Sequence, residues 1–84
     1  MNIYVGNLSY SVTEGQLRAL FQEFGSLSSV TLICDKHSGE SKGFGFVDIE
    51  GQVQGEKAIK TLNGREIDGR KLTVNVAKPR NAGR

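Results

Sequence analysis

Tryptophan is absent from this 84-residue chain, and cysteine, proline, methionine and histidine occur once each. With Cys34 alone, no disulfide can form within the chain, and nothing in its cysteine usage points to an oxidising compartment. No apolar run approaches the roughly 20 residues of a membrane helix. The opening MNIYVG enters a strand pattern at once, without the basic-then-apolar character of a secretory leader. These absences predict a single-domain, intracellular (cytoplasmic) protein with no membrane partner. His37 stands alone in the polar loop DKHSGES, so neither a metal cluster nor a Ser–His–acid triad can be assembled around it. No carboxylate pair is placed for acid–base work, and the expectation is no enzyme, no cofactor and no metal. Cys34 reads as a small buried hydrophobe near a strand end.

Charge is also scarce. The formal net charge is only +2, but it is unevenly spread. Residues 1–69 hold six basic and nine acidic side chains, a net of −3, whereas Arg70, Lys71, Lys78, Arg80 and Arg84 follow with no acid, a net of +5. That asymmetry predicts a basic edge and tail beside a nearly neutral body. A solubilising terminus would look the same.

What the chain does have is periodicity. Asn2 to Gly6 alternates, with Ile3 and Val5 on one side and Tyr4 on the other, which predicts a short strand. Thr13 and Gln16 are spaced as a capping box. Leu17, Leu20, Phe21 and Phe24 follow at the spacing of an amphipathic helix, with Gly25 as its left-handed stop. Val30, Leu32 and Cys34 alternate along a second strand, and KGFGFVDIE forms a third. A second helix is predicted from about Val53 to Asn63, with Gly55, Ala58, Ile59 and Leu62 inward and Asn63-Gly64 closing it. A turn at Ile67 to Arg70 precedes a last strand carrying Leu72, Val74 and Val76. The order β-α-β-β-α-β makes this an α+β, ferredoxin-like split β-α-β sandwich. In it, two helices cover one face of a four-stranded antiparallel sheet.

Two one-sided helices can cover only one sheet face, leaving the other open. Alternation assigns the aliphatic residues to the covered side. Tyr4, Thr31, Ile33, Phe44, Phe46, Asp48, Thr73 and Asn75 then share the open side. Three rings exposed among hydroxyl, amide and carboxylate groups mark a binding surface. Flat rings with polar neighbours suit stacked bases, each worth about 1–3 kcal/mol, which lets a chain of low net charge bind nucleic acid. The competing arrangement is a one-residue slip that buries Phe44 and Phe46 and, with them, Asp48. Glycines at 43 and 45 are expected to keep the strand slim so that rings and ligand can approach.

KGFGFVDI, from Lys42 to Ile49, resembles the eight-residue ribonucleoprotein signature of the RNA recognition motif, K/R-G-F/Y-G/A-F-V-x-F/Y. IYVGNL, from Ile3 to Leu8, is similar to the six-residue companion on that family's first strand. Ala58-Ile59, Leu62-Asn63-Gly64 and the Gly69-Arg70 turn before Leu72 and Val74 match as well. The resemblance spans residues 2–78, leaving 79–84 as a short basic tail. A nearly bare domain of this kind looks like the small stand-alone bacterial RNA-binding proteins of the glycine-rich type.

The resemblance implies that Tyr4 and Phe44 stack on bases, that Phe46 contacts or inserts between sugars, and that Lys42 meets a phosphate. It also puts the first and third strands at the sheet centre. Asn75, Ala77 and Lys78 would add base-edge contacts, and Arg80 would extend the backbone track. An ordinary solvated hairpin lysine is the competing reading of Lys42, and a solvated tail that of Arg80. Ile49, where the family has an aromatic, falls on the core side and is a packing exchange. Gly55, where alanine is usual, bears on helix stability. The function expected is single-stranded RNA binding by a monomer, without catalysis, in post-transcriptional regulation or RNA chaperoning. Single-stranded DNA binding, or a protein–protein interaction module on the same face, are the alternatives.

Overall fold

The periodicities resolve into eight elements in a computed structural model that describes residues 1–77. They are β1 (Asn2–Gly6), α1 (Glu14–Gln22), β2 (Leu27–Cys34), β3 (Ser41–Ile49), α2 (Gln52–Leu62), β4 (Glu66–Ile67), β5 (Arg70–Lys71) and β6 (Thr73–Val76). Four strands form an antiparallel sheet in the order β2-β3-β1-β6, so β1 and β3 are central. This is the β-α-β-β-α-β arrangement, with β4 and β5 added as a separate small hairpin.

The core decides which way the strands face. Ile3, Val5, Val47, Ile49 and Val74 are fully buried, and Val30 and Leu72 nearly so. Leu17 and Phe21 of α1, and Ala58 and Leu62 of α2, are buried in the same cluster, as are Leu8 and Val12 between β1 and α1. Each fully buried aliphatic or phenylalanine side chain is worth about 1.5–3 kcal/mol, so a one-residue slip would lose this whole face. The register that would have buried Phe44 and Phe46 is therefore excluded. No polar or charged side chain is buried among the described residues.

α1 starts as its capping box dictates. Thr13 Oγ1 accepts from the Gln16 N–H at 3.2 Å, and Gln16 Oε1 accepts from the Thr13 N–H at 2.9 Å. Its end differs from expectation. The helix stops at Gln22 and tightens, the Phe24 N–H donating to the Phe21 carbonyl at 3.0 Å, and Gly25 is not left-handed. Gly64, at φ +85°, takes that role after α2. Asn63 ties the same corner to the sheet, its Oδ1 accepting from the Val74 N–H at 3.0 Å. Gly55 also finds its reason. The Met1 side chain and Ile49 Cγ2 occupy the space that an alanine methyl would enter.

Two core assignments fail at strand ends. Cys34 is exposed, because the β2–β3 ladder is regular only from Ser29 opposite Asp48 to Leu32 opposite Gly45 and then shifts to put Cys34 opposite Ser41. Val76 shares the side of buried Val74 yet is 56% exposed, since it ends an edge strand with no neighbour beyond it. The predicted turn at Ile67 to Arg70 is the tip of the β4–β5 hairpin, with Asp68 and Gly69 both at positive φ as a two-residue type I′ connection requires.

Candidate nucleic-acid interface

The register assembles the open face row by row. Tyr4 lies opposite Phe46 on one side and Asn75 on the other, and Phe46 lies opposite Thr31. Thr31, Phe46, Tyr4 and Asn75 thus form one row across all four strands. Phe44 sits two residues along β3 on the same side. The three rings meet as a cluster: Tyr4 and Phe44 have centroids 6.1 Å apart, Tyr4 and Phe46 5.8 Å, and Phe44 and Phe46 6.4 Å. The two phenylalanines are nearly perpendicular at 89°, a T-shaped packing, while Tyr4 and Phe44 are tilted by 34°. All three are half-buried, held by one another yet open above.

Gly6 makes this packing possible. A Cβ there would run into the Tyr4 ring, whose Cε2 and Cζ would lie 2.8 Å away, so the ring lies down over the Gly6 backbone. The two glycines of the octamer serve different ends from those expected. Gly45 is buried on the core side, where a Cβ would strike the Thr31 carbonyl and crowd Leu17. Gly43 sits at φ +86°, within the register shift that separates the Leu32–Gly45 and Cys34–Ser41 pairs. Its carbonyl accepts from the Leu8 N–H at 2.8 Å, which fastens the β1–α1 loop to β3. A bulge at such a position re-aims the neighbouring side chains.

Around the rings the face is polar. Thr31, Thr73 and Asn75 are exposed, Asp48 is half-buried, and Lys42 projects as an exposed cation at the β2–β3 end. Asp48 Oδ1 lies 3.5 Å from the Met1 ammonium, a solvent-screened pair worth little in stability. Ala77 is half-buried, its N–H donating to the Asn2 carbonyl at 2.8 Å and extending the ladder past β6. Tyr4, Phe44, Phe46 and Asn75 are brought together, with Lys42 and Ala77 at opposite ends. Lys78 and Arg80 lie outside the described residues.

The model of the RNA recognition motif family matches residues 3–73. The chain belongs to this family. RbpA of Synechocystis sp., a protein named for RNA binding, is 51% identical over 80 residues, covering 95% of this chain and 79% of its own. The crystal structure of RNA binding protein PG1 is 46% identical with a TM-score of 0.91, covering 95% of this chain and 96% of that one. The RNA recognition motif of Rna15 with bound RNA (GU) is 26% identical with a TM-score of 0.85, covering 93% and 83% respectively.

The structure also exposes a residue that the sequence reading left without a role. Tyr10, in the β1–α1 loop, is 66% exposed. The Arg70 guanidinium lies over its ring, 5.5 Å from the centroid, while Arg70 Nη1 donates to Asn7 Oδ1 at 3.3 Å. Strand alternation says nothing about loop residues, so the only signal for Tyr10 was its being one of six aromatics.

Proposed function

We propose that this domain binds single-stranded RNA across the open face of its sheet, as a monomer and without catalysis. The observation that carries this reading is the cluster of Tyr4, Phe44 and Phe46. Three half-exposed rings, 5.8–6.4 Å apart, lie on the side of the sheet that no helix covers. Domains of this family stack two or three bases on such rings. The RNA-bound Rna15 domain and the names of the cyanobacterial relatives support the same ligand. In this reading Tyr4 and Phe44 stack on bases, Phe46 meets sugars, Lys42 meets a phosphate, and Asn75 and Ala77 add base-edge contacts. Lys78 would add a base-edge contact and Arg80 would continue the backbone track, in a cytoplasmic, post-transcriptional or chaperoning role.

Fluorescence anisotropy with labelled single-stranded RNA and DNA pools tests this. A Phe44→Ala, Phe46→Ala double variant, folded by circular dichroism, should lose binding that the unmutated chain shows. The RNA-to-DNA ratio reports how far the 2′-hydroxyl is sensed. Failure of the folded, unmutated chain to bind either pool would discard the reading and point to a protein partner on the same face.

A further inference from the structure

An acid stands in the middle of the open face. Beside the ring row runs a second row on the same side: Ser29, Asp48, Asn2 and Ala77. Asp48 pairs with Ser29 on β2 and with Asn2 on β1, and the Ala77 N–H donates to the Asn2 carbonyl. A carboxylate on a surface that meets a polyanion repels it unless the ligand brings donors. From this register we infer that Asp48, with Asn2 beside it, selects guanine. Its two oxygens accept from the N1–H and the N2 amino group of a guanine whose Watson–Crick edge lies across this row. The inference rests on the function proposed above and names the base that the face prefers.

The carboxylate is available for this. Its side chain is 46% exposed, and its one partner among the described residues, the Met1 ammonium, lies 3.5 Å from Oδ1. That ammonium already donates to the Ile49 carbonyl at 2.6 Å, so most of the acceptor capacity of Asp48 stays open. The space above is open too. The Tyr4 ring lies over Gly6, away from Asn2, and leaves the second row uncovered. Successive rows are about 7 Å apart, two residues along a strand, so a nucleotide whose sugar meets Phe46 can lay its base across Asp48. Base chemistry then decides among the four. Guanine alone presents two adjacent donors on its Watson–Crick edge, matching the two acceptors of a carboxylate. Adenine and cytosine each set one amino donor beside a ring-nitrogen acceptor, and uracil flanks one N–H with two carbonyls. All three aim lone pairs at a group that has no donor to offer them. Asn2 is exposed directly opposite Asp48, and opposed side chains stand about 4.5–5.5 Å apart, so its amide can donate to guanine O6.

Anisotropy with labelled oligouridines of one length, plain or carrying a single central guanine, adenine or cytosine, tests this. The unmutated chain should bind the guanine strand about 5- to 150-fold more tightly than the other three, the range for one well-placed bidentate pair. Inosine in that position lacks the N2 amino group and should fall between guanine and uridine. Replacement by 7-deazaguanine, whose Watson–Crick edge is unaltered, should match guanine. Asp48→Asn and Asp48→Ala, both folded by circular dichroism, should bring the guanine-to-uridine ratio close to one. A guanine preference that survives both substitutions overturns the inference, and so does a loss on 7-deazaguanine, which would put the contact on another edge of the base. Tighter binding of every strand by Asp48→Ala at an unchanged ratio also overturns it, leaving the carboxylate as a repulsive charge alone. If the unmutated chain binds none of the strands, the function proposed above falls and this inference with it. Equal binding of all of them leaves that function standing and removes this inference alone.

Discussion

At the scale of single residues, the open face separates binding from stability. Phe44 is half-buried by Tyr4 and Phe46 and lies on the side away from the core. Phe44→Ala should therefore cost about 1–3 kcal/mol of RNA affinity while the thermal midpoint stays close to that of the unmutated chain. Anisotropy and a melting curve on the same preparation check both halves. Phe21, fully buried on the inner side of α1, is the control, and Phe21→Ala should lower folding stability by about 3–5 kcal/mol in a denaturant titration. Gly6 tests the geometry of the cluster itself. Gly6→Ala would push the Tyr4 ring off its seat, so it should weaken RNA binding although Gly6 contributes no side chain. The rings themselves were legible in the sequence, because strand alternation against an aliphatic set leaves them one face. Gly6 was not, since its part is a vacancy beneath a neighbour's ring. Cys34 was misread for a related reason: alternation holds only while the ladder is in register, and the break between Leu32 and Cys34 lies in the partner strand.

At the scale of elements, helix starts and strand identities were readable, and irregularities were not. The Thr13–Gln16 capping box forms as the spacing requires. Thr13→Ala should cost about 1 kcal/mol in chemical denaturation, since it orphans the Gln16 N–H. The end of α1 was misplaced because Gly25 follows a tightened turn and has no left-handed role there. The turn at Ile67 to Arg70 was readable, but the β4 and β5 strands beside it escaped notice because two-residue strands have no period to detect. The bulge at Gly43 is the most consequential irregularity, since it joins the β1–α1 loop to β3 and supports the Tyr10 ring. At φ +86° a side chain is strained, so Gly43→Ala should cost on the order of 1–3 kcal/mol in stability, read in a denaturant titration.

At the scale of the whole molecule, a net charge of +2 and a surface of flat rings predict the character of binding. Affinity dominated by stacking should depend weakly on salt. For a single strand the slope of log K against log salt is about −0.7 for each phosphate neutralised, so two or three contacts give a slope of roughly −1.4 to −2.1. A titration across salt concentrations that returned a much steeper slope would assign the affinity to the basic C-terminal residues instead. The overall architecture was legible because two one-sided helices and an alternating strand set admit few arrangements, and the octamer and hexamer identify which. The central place of β1 and β3 has a further consequence. Opening of a sheet begins at its edges, here β2 and β6, while β1 and β3 each keep neighbours on both sides. Amide protons of Val5 and Val47 should then be among the slowest to exchange with deuterated solvent, and those of β6 among the quicker. The rings are thus rooted in the backbone that opens last, and transient fraying of the edges would leave their spacing intact.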